Sequence, residues 1–84
     1  MATGYVVTGS CEDFEQILGL KTGGGLPPGG VLDWAMDGCR RHVFALRHQA
    51  REAIERTHHY SKAFGVEDLP EKKYCKIHPI NLPD

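Results

Sequence analysis

Two Cys-x-x-His pairs are the residues of this chain best suited to bind a metal ion. They are "CRRH" at residues 39 to 42 and "CKIH" at residues 75 to 78. Thiolate and imidazole groups are preferred zinc ligands, and four of them make a closed tetrahedral site. One interpretation of Cys39, His42, Cys75 and His78 is therefore a small zinc-binding protein. The second pair weakens that interpretation, because Cys75 and His78 would point to opposite faces of an extended segment.

A run of basic residues offers a different chemistry, the binding of anionic groups. Residues 40 to 51 contain four arginines and no acid. On a helix, three of these arginines share a flank with one aromatic residue and one histidine, which predicts a binding surface consisting of Arg40, Phe44, Arg47, Arg51 and His58. Such a surface suits phosphates or an acidic patch on a protein. The alternative is a solvated flank whose arginines pair with Glu52, Glu55 or acids of a second subunit.

Catalytic and cofactor-binding patterns are weak. Cys11 begins a predicted helix, which would lower the pKa of its thiol, but the neighbouring Glu12 and Asp13 disfavour a thiolate. The glycine-rich segment 21–30 ends in Gly-Val-Leu, so it does not have the Lys-Ser/Thr ending of a phosphate-binding loop. The sequence therefore predicts no enzyme activity, no catalytic residues and no cofactor.

Hydrophobic periodicity predicts an α+β fold with one long helix at about residues 32–64. Gly65 followed by Val66 is typical of a helix C-terminus. Apolar residues recur at alternating steps of four and three, which is the pattern of a coiled-coil seam. The seam residues are Leu32, Met36, Cys39, Val43, Leu46, Ala50, Ala53, Thr57, Tyr60 and Phe64.

The rest of the chain predicts a small sheet, a short helix and a flexible connection. Tyr5–Val7 lie between glycines and resemble a strand. A short helix is expected after Ser10, with Phe14, Ile17 and Leu18 at helical spacing and Gly19 at its end. Segment 21–30, rich in glycine and proline, should be a flexible loop. Residues Tyr74, Cys75 and Ile77 predict a C-terminal strand that pairs with Tyr5–Val7, its length limited by Pro79 and Pro83.

The predicted long helix implies a second subunit. A helix of about 33 residues is about 50 Å long, whereas a domain of this length has a radius of gyration near 12 Å. Water-exposed apolar seam residues would cost several kcal/mol at about 25 cal/mol per Å². We therefore expect a homodimer formed along the seam.

Size and composition set the remaining expectations. The chain has 84 residues and a formal net charge of −1, which predicts a single small domain over residues 1–84 without a general attraction to nucleic acid or membranes. No apolar run reaches the length of a membrane span, and three cysteines without a signal peptide favour a soluble, reduced, cytoplasmic protein. The function expected is a non-catalytic protein-binding module, an inhibitor, adaptor or accessory subunit of a larger complex. The alternative is a nucleic-acid-binding regulator that uses the basic stripe.

Overall fold

A four-stranded antiparallel sheet and a single α-helix make up the fold. The computed structural model describes residues 2–34 and 41–83. Its elements are β1 (Ala2–Cys11), β2 (Phe14–Lys21), β3 (Val31–Trp34), α1 (Arg47–Phe64), a single 3-10 turn (Lys72–Tyr74) and β4 (Lys76–Leu82). The strand order is β3-β2-β1-β4. The α+β class predicted from the sequence is confirmed.

The second element is a strand, so the prediction of a short helix after Ser10 is wrong. Cys11 pairs with Phe14 across a two-residue turn, in which Glu12 adopts a positive φ of 55°. Leu18 and Leu20 lie two residues apart on the same face of β2, where Leu18 is buried and Leu20 packs against the core. Helical spacing and strand alternation overlap in so short an apolar segment, and pairing with β1 decides between them.

The N- and C-terminal strands pair as predicted, with Val7 opposite Ile77 and Tyr5 opposite Pro79. The strand begins later than expected, at Lys76, and it continues through Pro79 instead of stopping there. The Tyr5 N–H and C=O both bond to Phe44 on the other side of β1, so Tyr5 and Pro79 form a non-hydrogen-bonded pair. The missing N–H of proline therefore falls on the free edge of β4, where it interrupts no ladder.

Residues 41–44 join the sheet before the helix starts. Arg41 forms a bridge with Gly19, and Phe44 forms a bridge with Tyr5. The segment 41–44 thus lies between β1 and β2, where these two strands diverge. Phe44 is 6% exposed and belongs to the core, together with Val7, Leu18, Leu32, Ala50, Ala53 and Ile54.

The helix is shorter than the prediction of about residues 32–64. Its 18 residues give a length of about 27 Å, well within the 41 Å long dimension of the molecule. The prediction is wrong at the N-terminal end because Val31–Trp34 pairs with β2 instead. At the C-terminal end it is correct, since Gly65 adopts the left-handed conformation and its N–H bonds to Ser61.

The glycine- and proline-rich segment connects β2 to β3, as predicted, over residues 22–30. Its end is attached to the helix. Arg56 Nε donates to the Gly30 carbonyl at 2.6 Å, and Arg56 Nη2 donates to the Gly29 carbonyl at 3.0 Å. Both glycines have positive φ, a conformation that other residues seldom adopt.

Candidate binding surface

Two arginines of the predicted basic stripe lie on the outer surface of the helix. Arg47 and Arg51 are exposed and one turn apart, and the half-buried His58 lies on the same flank two turns further on. Phe44 is not part of this surface, because it precedes the helix and is buried in the core. Arg40 lies outside the described residues. Within the described chain, the stripe is therefore reduced to Arg47, Arg51 and His58.

The helix N-terminus is an unfavourable position for these cations. The first turn of α1 contains no acid, and Leu46 at the N-cap position has no polar side chain to accept a backbone N–H. The side chain of Gln49 instead accepts the Leu46 N–H at 3.2 Å. Cations near the positive end of a helix typically cost about 0.3–1 kcal/mol each when exposed. The placement of Arg47 is therefore not explained by the stability of the helix.

The described acids do not form ion pairs with the two arginines. Among residues 2–34 and 41–83, no ion pair involves Arg47 or Arg51. Glu55, one turn beyond Arg51, pairs with Lys72 at 2.6 Å. The hydrogen bond from Lys72 holds the pKa of Glu55 below its usual value. Of the alternative partners, neither Glu52 nor Glu55 pairs with Arg47 or Arg51 in the described residues, and acids of a second subunit are untested.

Large apolar side chains are exposed immediately before the arginines. Val43 is 41% exposed and Leu46 is 50% exposed. Val43 covers Gly4, since a Cβ added there would lie 2.5 Å from Val43 Cγ1. Val43 therefore lies on the open face of the sheet, opposite the helix. We call Leu46, Arg47 and Arg51 the arginine surface. The sequence pattern had assigned Leu46 to a helix seam, so its position next to the arginines was missed.

The predicted dimer seam does not form one surface. Leu32, Ala50, Ala53 and Thr57 are buried in this chain's own fold. Met36 and Cys39 lie outside the described residues. At the far end, the Tyr60 and Phe64 rings lie 4.9 Å apart, and Phe64 is 69% exposed. Because the helix is short and three of its five seam residues are buried in the fold, the predicted seam gives no reason to expect a dimer.

The three candidate zinc ligands among the described residues are not brought together. Cys75 packs against the core on the helix side of the sheet, whereas His78 lies on the opposite face with Thr8. His42 stacks edge-on against Phe44, and Cys39 lies outside the described residues. The Cys75 Sγ donates to the Glu71 carbonyl, and burial raises the pKa of the Cys75 thiol to about 11. In the described part of the chain, no three His, Cys, Asp or Glu side chains could hold a metal ion.

A polar cluster on the open sheet face was not anticipated from the sequence. His78 Nε2 lies 3.0 Å from Thr8 Oγ1 and 3.5 Å from Glu15 Oε1. In a catalytic triad the hydroxyl and the carboxylate contact different ring nitrogens, so that one proton can be taken while the other is held. Here both oxygens face Nε2, an arrangement that stabilises the sheet surface. The sequence gives no indication of this cluster, because its residues come together only through the register of three strands.

Comparisons with known proteins add no assignment, since no protein-family model, curated protein or solved structure matches this chain. In the part of the chain that the structure describes, no helix has both the length and the apolar character needed to cross a membrane.

Proposed function

We propose that this protein is a non-catalytic protein-binding module, an inhibitor, adaptor or accessory subunit of a larger complex. Its arginine surface contacts an acidic segment of the partner. The observation that supports this proposal is the position of Arg47 and Arg51, exposed and without an ion pair among the described residues, beside the exposed Leu46. A partner carboxylate would supply the missing charge, and bidentate pairing would favour arginine over lysine.

The neighbouring leucine favours a protein partner over nucleic acid. Protein interfaces combine arginine with large apolar residues, whereas interfaces with DNA are more polar and strongly basic. The half-exposed Leu46 next to two arginines matches the first composition. The formal net charge of −1 also gives no general attraction to a phosphate backbone. Nucleic acid remains the alternative partner, to be separated by experiment.

Affinity capture with paired variants tests the proposal. The native chain and an Arg47→Ala/Arg51→Ala variant are used to capture proteins from the native cell, with Lys62→Ala as the control. Lys62 is an exposed cation on the last turn of the same helix. We expect a partner with an acidic segment that is retained by the control and lost by the double variant. The purified pair should then show at least about a tenfold weaker Kd for the double variant.

A salt series on duplex DNA tests the alternative. Phosphate contacts release counterions, so affinity for DNA would fall steeply with salt concentration. Tight, salt-sensitive DNA binding that requires Arg47 and Arg51 would overturn the assignment of a protein partner. Equal capture by the double variant and the control would also overturn it, because the arginine surface would then not be the contact.

The homodimer and the cytoplasmic location are further parts of this proposal. A second copy could still cover exposed side chains such as Phe64, although the seam is no longer the reason for it. The exposed Cys11 is unpaired, and thiols of this kind are stable in a reducing compartment.

A further inference from the structure

A second candidate site is a groove lined by acidic residues, in contrast to the basic arginine surface. The groove has a volume of about 750 Å³, in the range of small-molecule sites. It lies between the β1–β2 turn, the end of β3, and the segment that follows α1. We call it the acidic groove, and its lining residues that carry the argument are Glu12, Trp34, Glu67, Asp68, Glu71, Lys73 and Tyr74.

Two aromatic side chains line the acidic groove. The indole N–H of Trp34 donates to the Asp68 carbonyl at 3.0 Å, which fixes the ring and attaches the segment after α1 to the sheet. Part of the Trp34 ring packs against the core, and its remaining surface lines the groove. Tyr74 is 48% exposed. Aromatic faces attract ammonium and guanidinium groups.

The charge of the groove is strongly negative for a chain that is nearly neutral. Among residues 2–34 and 41–83, four carboxylates line it, from Glu12, Glu67, Asp68 and Glu71, and one ammonium, from Lys73. The formal charge of these five groups is therefore −3, compared with −1 for the whole chain. Because the whole chain carries little net charge, the negative charge is concentrated at the groove.

An ammonium group of the chain itself, that of Lys73, lies in the acidic groove. Lys73 Nζ lies 5.1 Å from the centroid of the Tyr74 ring and 3.7 Å from Glu71 Oε2. This ammonium is thus held by an aromatic face and a carboxylate together. The Lys73 side chain is 69% exposed, so it can leave the position at little cost. Its contacts define a position for a cation, which the acidic charge alone would not.

We propose that the acidic groove binds an organic cation, an ammonium or guanidinium group on an alkyl stem. The incoming cation displaces Lys73, and contacts the Tyr74 ring and the Glu71 carboxylate in its place. The ring of Trp34 packs against the alkyl stem. Two sources carry this chemistry, a lysine or arginine side chain of a protein and a free small amine. The proposal does not depend on the arginine surface.

Fluorescence of Trp34 reports binding directly, because it is the single tryptophan of the chain. The probes are N-acetyl-lysine amide and N-acetyl-arginine amide, with N-acetyl-norleucine amide as the neutral control. We expect saturable changes in emission with the cationic probes at about millimolar concentration, as befits a partly exposed cation–π contact. The neutral control should leave the emission unchanged. Equal responses to the neutral and cationic probes, or no response to any of them, would overturn the proposal.

Two lysine variants separate displacement from a general change in charge. Lys73→Gln removes the resident ammonium and should tighten the binding of the cationic probes by about threefold or more. Lys62→Gln makes the same change in net charge outside the acidic groove and should have little effect. Equal tightening by both variants would contradict a defined site. Glu71→Gln should weaken binding of the probe in the Lys73→Gln background, which confirms the position of the carboxylate.

The source of the cation is distinguished with two further probes. One is n-butylamine, and the other is a tetrapeptide with a central lysine flanked by glycines and blocked at both ends. Tighter binding of the peptide by about tenfold or more identifies a protein side chain as the ligand. Equal or tighter binding of the free amine identifies a small molecule.

Discussion

Replacing Thr57 with valine tests the hydrogen bond that connects the helix to β3. Thr57 Oγ1 donates to the Ala53 carbonyl at 2.7 Å and accepts the Leu32 N–H at 2.8 Å. Thr57 is 2% exposed and Leu32 is 1% exposed. Valine has the same shape as threonine but cannot accept a hydrogen bond. The substitution therefore leaves the N–H of Leu32 buried without a partner.

The expected loss of folding stability comes from the unsatisfied N–H of Leu32. A buried polar group left without its hydrogen bond costs about 1–3 kcal/mol. In a domain of this size, each kcal/mol lowers the Tm by about 4–8 °C. Thr57→Ser provides the control, since it keeps the hydroxyl and removes only a methyl group, worth about 0.8 kcal/mol. Because the Leu32 N–H loses its partner in Thr57→Val, this variant should melt at a lower temperature than native protein.

Two measurements separate the hydrogen bond from packing. Thermal and urea unfolding followed by circular dichroism give the free energy of unfolding for each variant. Hydrogen exchange of the Leu32 amide shows whether its protection relative to neighbouring amides is lost in Thr57→Val and kept in Thr57→Ser. A valine variant as stable as native protein, with the Leu32 amide still protected, would refute the reasoning.

Four further predictions concern the thiols, a loop and the oligomeric state. At pH 8, in a Cys39→Ser background, a maleimide should label exposed Cys11 much faster than Cys75, whose pKa burial raises to about 11; equal rates would contradict this. The same raised pKa stabilises the fold below the unfolded value near 9, so the free energy of unfolding should fall as pH rises from about 9 to 11, and a Cys75→Ala variant should not show that part of the fall. Arg56→Met should lower the free energy of unfolding by about 1–3 kcal/mol through loss of two charge-assisted bonds to the glycine loop, whereas loss in the Gly30→Ala variant would come from the positive φ and from a clash of the new Cβ with the Lys21 carbonyl; unchanged urea midpoints would rule out both effects. Light scattering at micromolar concentration should return twice the 9.3 kDa chain mass if the homodimer forms, and a 9.3 kDa particle would eliminate it.

The sequence alone determined the features that depend on local chemistry. Gly65 ends the helix because only glycine readily adopts the left-handed conformation found there. The glycine- and proline-rich segment is a connection because it contains few residues that favour regular structure. The terminal strands were predicted to pair, and Val7 does lie opposite Ile77.

The candidate sites were less accessible to sequence reasoning. Arg47 and Arg51 were found because a helical wheel places them on one flank. The acidic groove was missed, since Trp34 and Tyr74 are forty residues apart in the chain and belong to no common motif. Such sites form only where separate elements meet.

Tertiary structure alone decided where the helix begins and what its small residues do. Leu32 fits the helical spacing of the segment that follows, yet it pairs with Leu20 in the sheet and bonds to Thr57 across 25 residues. Local spacing is compatible with either state for a short apolar segment, and the choice depends on which backbone groups find partners. Those partners lie far away in the sequence, so only the folded chain determines them.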